Sequence, residues 1–170
     1  IGSTVDMSNQ PQTTVRVGLL GCGRLAEFGY LPAFDLARGI ALVGVADVNR
    51  SRCEQLAPAI PAYDNIETLI RAGGLDGLVV ATPTRCHLAD ATRAAAAGLP
   101  VLLEKPPGLD LAEARALLKL EPQPWLAFNR RHDPDLLELK SKLPDGEALN
   151  LRLELHYRRA GWRPFDMRDD

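Results

Sequence analysis

Cysteine is scarce in this chain: three in 170 residues (Cys22, Cys53 and Cys86), odd in number and widely spaced. Such a set forms neither a disulfide framework nor a zinc pattern, and a reducing cytoplasm is the expected location. Long apolar runs are lacking as well. None approaches the ~18 residues that would cross a bilayer, so no membrane partner is expected. Residues 1–12 have no charged stretch followed by an apolar one, and no secretion signal is expected. Ile1–Asp6, ahead of Met7, resembles a vector remnant, so residues 1–12 are set apart from the fold as a tag remnant and disordered N-terminus. An excess of one charge is missing too. Twenty Lys and Arg face 22 Asp and Glu, a formal net charge of −2, so nothing globally attracts nucleic acid or anionic lipid. The late arginines (Arg130, Arg131, Arg158, Arg159, Arg163, Arg168) are interspersed with acids and read as a mixed surface. Repeats and low-complexity segments are absent.

What is present is an alternation of short β-type runs and helical stretches, with 46% hydrophobic residues to build a core. That alternation argues for an α/β fold with a parallel sheet. Strands are expected at Val15–Leu20, Ala41–Ala46, Gly77–Ala81, Val101–Leu103 and Trp125–Phe128. Helices are expected from Arg24 onward, broken or kinked at Pro32, and over Arg50–Ala59, Arg85–Ala97 and Pro134–Leu143, the last capped by Asp133. Two patterns of the Asp-x-x-Glu type, Asp64–Glu67 and Asp110–Glu113, open two more helices. Trp125 and Phe128 read as core. The pattern changes at Leu149. Leu149, Leu151, Leu153, Leu155 and Tyr157 alternate with polar residues, as in a strand with one buried and one wet face. Such a strand belongs to an antiparallel or mixed sheet, and a domain boundary is expected near Pro144–Gly146. One strand cannot bury its apolar face alone, so partners from further residues or a second copy are expected, most simply as a homo-oligomer. The domain reading is therefore a dinucleotide-binding unit over 13–144 and the start of a truncated second domain over 145–170.

Gly21-Cys22-Gly23-Arg24-Leu25-Ala26 follows the first strand and opens a helix. Gly21 allows the tight strand-to-helix turn, Gly23 lets a pyrophosphate approach the backbone, and Ala26 permits close helix–strand packing. The helix N-terminus offers free N–H groups to phosphate. Asp47, at the end of the next strand, follows Ala26 by 21 residues. A carboxylate there accepts hydrogen bonds from ribose hydroxyls and repels a 2′-phosphate, which favours NAD. Arg50 and Arg52 leave NADP open, since either could pair with that phosphate. In the blander reading the glycines make a turn and Asp47 caps the next helix.

Two further loops fall at the carboxyl ends of strands: Ala81-Thr82-Pro83-Thr84-Arg85-Cys86-His87 and Glu104-Lys105-Pro106-Pro107. With the glycine loop, Ala46-Asp47 and Phe128-Asn-Arg-Arg131 before Asp133-Pro134, they come in an order that resembles the Gfo/Idh/MocA family of oxidoreductases, over roughly residues 15–157. The resemblance implies a Rossmann-type doubly wound domain followed by an α/β domain on a large, mostly antiparallel sheet. It implies hydride transfer between nicotinamide and a sugar, polyol or related keto substrate. Lys105 is the implied catalytic residue. Gly21, Gly23, Arg24, Leu25, Asp47, Arg50, Thr82, Pro83, Thr84, His87, Glu104 and Arg131 are the implied cofactor contacts. A cis peptide at Lys105–Pro106 is also implied. The chemistry agrees, because hydride delivery to a carbonyl builds negative charge on oxygen and a nearby ammonium stabilises it. Simpler roles stand beside these: His87 bonded to backbone at a helix start, and Arg131 paired with Asp133 or Asp135. The family's glycine-rich stretch with an aspartate and a catalytic histidine has no counterpart among His87, His132 and His156. The expected enzyme is thus incomplete in this chain; the alternative is a non-catalytic dinucleotide-binding or scaffold module.

Overall fold

The computed structural model describes residues 14–143 and Glu154. The strand expected over Leu149–Tyr157, with His156, lies outside them apart from Glu154. The chain divides into two compact units between Phe128 and Asn129, earlier than the boundary expected near Pro144–Gly146.

The first unit is a six-stranded parallel sheet in the order β3-β2-β1-β4-β5-β6. Its strands are β1 (Val15–Leu20), β2 (Ile40–Ala46), β3 (Ala62–Tyr63), β4 (Gly77–Val80), β5 (Val101–Leu103) and β6 (Trp125–Leu126). Its helices are α1 (Leu31–Leu36), α2 (Arg50–Leu56), α3 (Ile66–Ala72), α4 (Thr84–Ala96) and α5 (Leu111–Leu117). Helices pack on both faces of the sheet, which explains why its strands read as continuous apolar runs. Leu20, Ala46, Val80 and Leu103 pack with Ile66, Leu69, Ala91 and Leu117 from α3, α4 and α5. Leu19, Val45 and Val79 point the other way, onto Ala26 and onto Cys53 of α2. Each fully buried leucine (Leu19, Leu69, Leu78, Leu103) contributes about 1.5–3 kcal/mol by leaving water.

The helix after the glycine loop widens into a π turn over Ala26–Tyr30 before α1, where the Leu31 N–H donates to the Ala26 carbonyl. Pro32 sits at the start of α1. Proline has no N–H to donate and crowds the carbonyl four residues back, so the break expected there is taken up as a π turn. Two expectations are corrected. Asn65, not Asp64, caps α3, accepting from the Thr68 N–H at 2.9 Å, and Glu67 pairs with Arg93 instead. Trp125 and Phe128 are not core: they are 74% and 46% exposed. Trp125 lies on an open apolar groove of about 410 Å³ on the α1 side of the sheet, lined among others by Phe34, Leu78 and Val101. At α5 the expected pattern holds, with Asp110 accepting from the Glu113 N–H, while Glu113 reaches back to the Leu109 N–H.

In the second unit the described residues form a 3-10 turn (Asn129–His132) and α6 (Pro134–Ser141). Asp133 caps α6 by accepting from the Asp135 N–H, and its other oxygen takes Arg130.

Candidate active site

Register places the site. Leu20 lies opposite both Ala46 and Val80, and Val80 opposite Leu103. The residues that follow, Gly21, Asp47, Ala81 and Glu104, therefore leave the sheet side by side at its carboxyl edge. The core residues divide the helices between the two faces, with α2 on one and α3 to α5 on the other. The strand order reverses between β1 and β4, the switch point where open α/β sheets bind ligands.

Gly21 has φ +98°, and a Cβ on it would lie 2.6 Å from the Ala81 carbonyl oxygen and 2.9 Å from the Thr82 nitrogen. Only glycine fits that turn. A Cβ on Gly23 would meet nothing within 4 Å, so the space above the loop is open, as a cradle for a pyrophosphate requires. Ala26 is fully buried under the helix. Asp47 accepts from the Cys22 N–H at 2.7 Å and from the Asn49 N–H at 2.8 Å. Its carboxylate thus ties the end of β2 to the glycine loop. It is not the cap of α2; Asn49 is, accepting from the Arg52 N–H.

Around this half, Arg24 lies 5.6 Å from the centre of the Phe28 ring, and Leu25 is exposed. Arg50 is held by Glu54 at 3.0 Å and stands 3.9 Å from Asp64. Arg52 pairs with Glu27. The buried thiols of Cys22 and Cys53 touch, and burial first, then the neighbouring thiol, pushes the Cys22 thiol far up.

The other half is held by side chains. The Thr82 hydroxyl donates to Asp90 at 2.8 Å, and the buried Asp90 also takes Arg93. Pro83 is exposed at the cap of α4, and Thr84 is its first residue. His87 is buried, its Nδ1 2.8 Å from the Pro106 carbonyl oxygen and its Nε2 2.8 Å from that of Thr82. Its ring is turned inward behind the loops, matching the backbone-bonded reading rather than an open contact surface. Glu104 accepts from the Tyr30 hydroxyl at 2.8 Å and from the Lys105 N–H at 3.0 Å. Burial, then Glu104, raises the Tyr30 phenol well above its usual range, so it remains a donor. Lys105 is exposed and precedes a cis peptide to Pro106. Arg131 lies in the second unit, exposed on the 3-10 turn, and the ion pair with Asp133 is made by Arg130.

Sequence reasoning missed Tyr30 and Asp90. Tyr30 is 74 positions from Glu104 and left no local signal. Asp90 left one: an acid three residues after His87 in an alanine-rich helix. Among the described residues no cluster of His, Cys, Asp or Glu could hold a metal, and no helix is long and apolar enough to cross a membrane.

The family model described as an oxidoreductase family with an NAD-binding Rossmann fold (Gfo/Idh/MocA) matches residues 15–124. The chain is 32% identical over 146 residues to the rhizopine catabolism protein MocA of Rhizobium meliloti, covering 83% of this chain and 46% of that protein. It is 34% identical over 138 residues to an inositol 2-dehydrogenase of the same species, covering 78% and 42%. Among solved structures, myo-inositol 2-dehydrogenase from Lactobacillus plantarum superposes with a TM-score of 0.66 at 27% identity, over 75% of this chain and 40% of that one. An oxidoreductase from Agrobacterium radiobacter in complex with NAD+ shares the fold, with a TM-score of 0.71 at 24% identity over 76% and 40%. The chain thus spans under half the length of these relatives. Its glycine loop, its Asp47 and its parallel sheet all fall within the matched region, and the chain belongs to the Gfo/Idh/MocA oxidoreductase family, of which it carries the NAD-binding Rossmann fold.

Proposed function

We propose that this chain is the cofactor-binding part of an NAD-dependent oxidoreductase that moves a hydride between nicotinamide and a sugar, polyol or related keto substrate. One observation carries the cofactor assignment: Asp47 is pinned to the Cys22 amide of the glycine loop, at the row where Gly21, Ala81 and Glu104 leave the sheet. A carboxylate so held presents its remaining lone pairs to the ribose hydroxyls and repels a 2′-phosphate. Arg50 and Arg52 are each paired with an acid, Glu54 and Glu27, which supports NAD over NADP.

Gly21, Gly23, Arg24 and Leu25 are assigned to the pyrophosphate, with Asp47 and Arg50 at the adenosine ribose. Thr82, Pro83, Thr84 and Glu104 are assigned to the nicotinamide end. Lys105 is assigned as the catalytic residue, its ammonium stabilising the developing oxyanion. Arg131 is assigned to cofactor or substrate on family grounds. The domain assignment counts α6 with the dinucleotide-binding region, 13–144, because the period-two pattern of a different sheet begins only at Leu149. The region 145–170 is assigned to a second domain, through which the protein pairs with a further copy, and the proposed location is the cytoplasm.

Calorimetric titration with NADH and NADPH tests the cofactor assignment. NADH is expected to bind at least about tenfold more tightly, and Asp47→Ala to weaken it about 10- to 100-fold, the scale of a hydrogen-bonded charge at about 1.5–3 kcal/mol. A folded sample that binds neither dinucleotide sinks the reading.

A further inference from the structure

The β4–α4 loop and the Lys105–Pro106 segment are joined by one buried ring. His87 has both of its nitrogens 2.8 Å from backbone carbonyl oxygens, Thr82 on one side and Pro106 on the other. The ring is therefore wedged between the two segments, and Asp90, one turn along α4 and 7% exposed, holds the same loop through the Thr82 hydroxyl while taking Arg93.

We propose that His87 is a positioning residue, a buried clamp that locks the Thr82 loop to Lys105–Pro106 and so fixes the distance between the nicotinamide end of the site and Lys105. The clamp connects further. Thr82 and Ala81 lie against Gly21, with no room for a Cβ between them. The glycine loop, the β4–α4 loop and the lysine segment are thereby one block, with His87 as the joint between the last two. What the clamp positions rests on the cofactor reading above; that it joins the two segments does not.

Two measurements on the 170-residue chain separate these points. The first is the nitrogen-15 NMR spectrum of the His87 ring at neutral pH, identified through its own backbone resonances. A ring N–H that exchanges slowly with solvent is expected, and a fast-exchanging ring overturns the clamp. The second compares ligand affinities in His87→Gln, whose amide lacks the ring that spans the two segments. NADH affinity is expected to fall about tenfold, the worth of about one lost hydrogen bond, while AMP, which reaches only the Asp47 end, binds as before. Equal losses for both ligands, or no loss, overturn the positioning role. A wild-type chain that binds neither NADH nor AMP sinks the cofactor reading alone, and the ring spectrum then decides the clamp.

Discussion

At the β1–β2 half of the carboxyl edge the site is made mostly of backbone, and at the β4–β5 half it is made mostly of side chains. In the first half Gly21 and Gly23 shape the loop by what they lack, and a single carboxylate, Asp47, ties two strand ends through backbone N–H groups. In the second half Tyr30, Thr82, His87, Asp90 and Glu104 hold two loops in place through their own polar atoms. The difference suits what each half is assigned. Phosphates and ribose hydroxyls are the same in every substrate pair, so a rigid backbone cradle serves them. On the proposed assignment the hydride-transfer end sets Lys105 against the reacting oxygen, and small changes of distance there have large rate consequences.

The backbone half is the more brittle. Gly21→Ala places a Cβ 2.6 Å from the Ala81 oxygen at φ +98°, against the Ala81–Thr82 backbone, with nothing flexible to yield. The expected loss of stability is roughly 2–4 kcal/mol from strain and overlap. Thermal unfolding should reveal it, together with loss of NADH binding. A variant as stable as the parent would mean that the loop moves freely and the backbone half is not rigid.

The same contrast explains what could be read in advance. The glycines, Ala26 and Asp47 form a pattern local in sequence, because a strand, turn and helix fix their spacing. The parallel sheet was legible from its apolar runs, since both faces bury apolar residues. Tyr30 to Glu104 and His87 to Pro106 join residues 74 and 19 positions apart, and no periodicity announces them. The misses elsewhere have similar causes. β3 is two residues long, too short to show a period, and the cap of α3 slipped by one because Asp64 and Asn65 are both good caps. Trp125 was placed in the core from its type, but the sheet face it lies on is an open groove.

Tyr30→Phe tests the side-chain half at lower cost. It removes the donor to Glu104 and nothing else, and Glu104 is only half-buried. A loss of about 1 kcal/mol is expected near neutral pH. The phenol is raised in the folded chain, so its contribution is present below the unfolded value and lost as pH rises through the folded one. The stability gap between parent and variant should therefore shrink in the alkaline range, beginning near the ordinary tyrosine value of about 10. A gap that is constant with pH, or absent, would detach Tyr30 from Glu104.

The smallest expected effect concerns two carboxylates whose surroundings act in opposite directions. Burial raises Asp90, against the lowering by Thr82, Arg93 and His87. The hydrogen bonds from Arg16 lower Asp76, just ahead of β4. A raised carboxylate favours the folded state below its unfolded value, and that advantage is lost as pH rises through the folded value. A lowered one favours the folded state above its unfolded value and loses the advantage as pH falls through the folded one. Urea unfolding of Asp90→Asn and Asp76→Asn against the parent, from about pH 3 to 7, spans both. With rising pH, the parent should lose ground to Asp90→Asn and gain ground on Asp76→Asn. Slopes of the same sign would mean that the neighbours of Asp90 outweigh its burial, and that its charge is as well accommodated inside the side-chain half as Asp76 is at the surface.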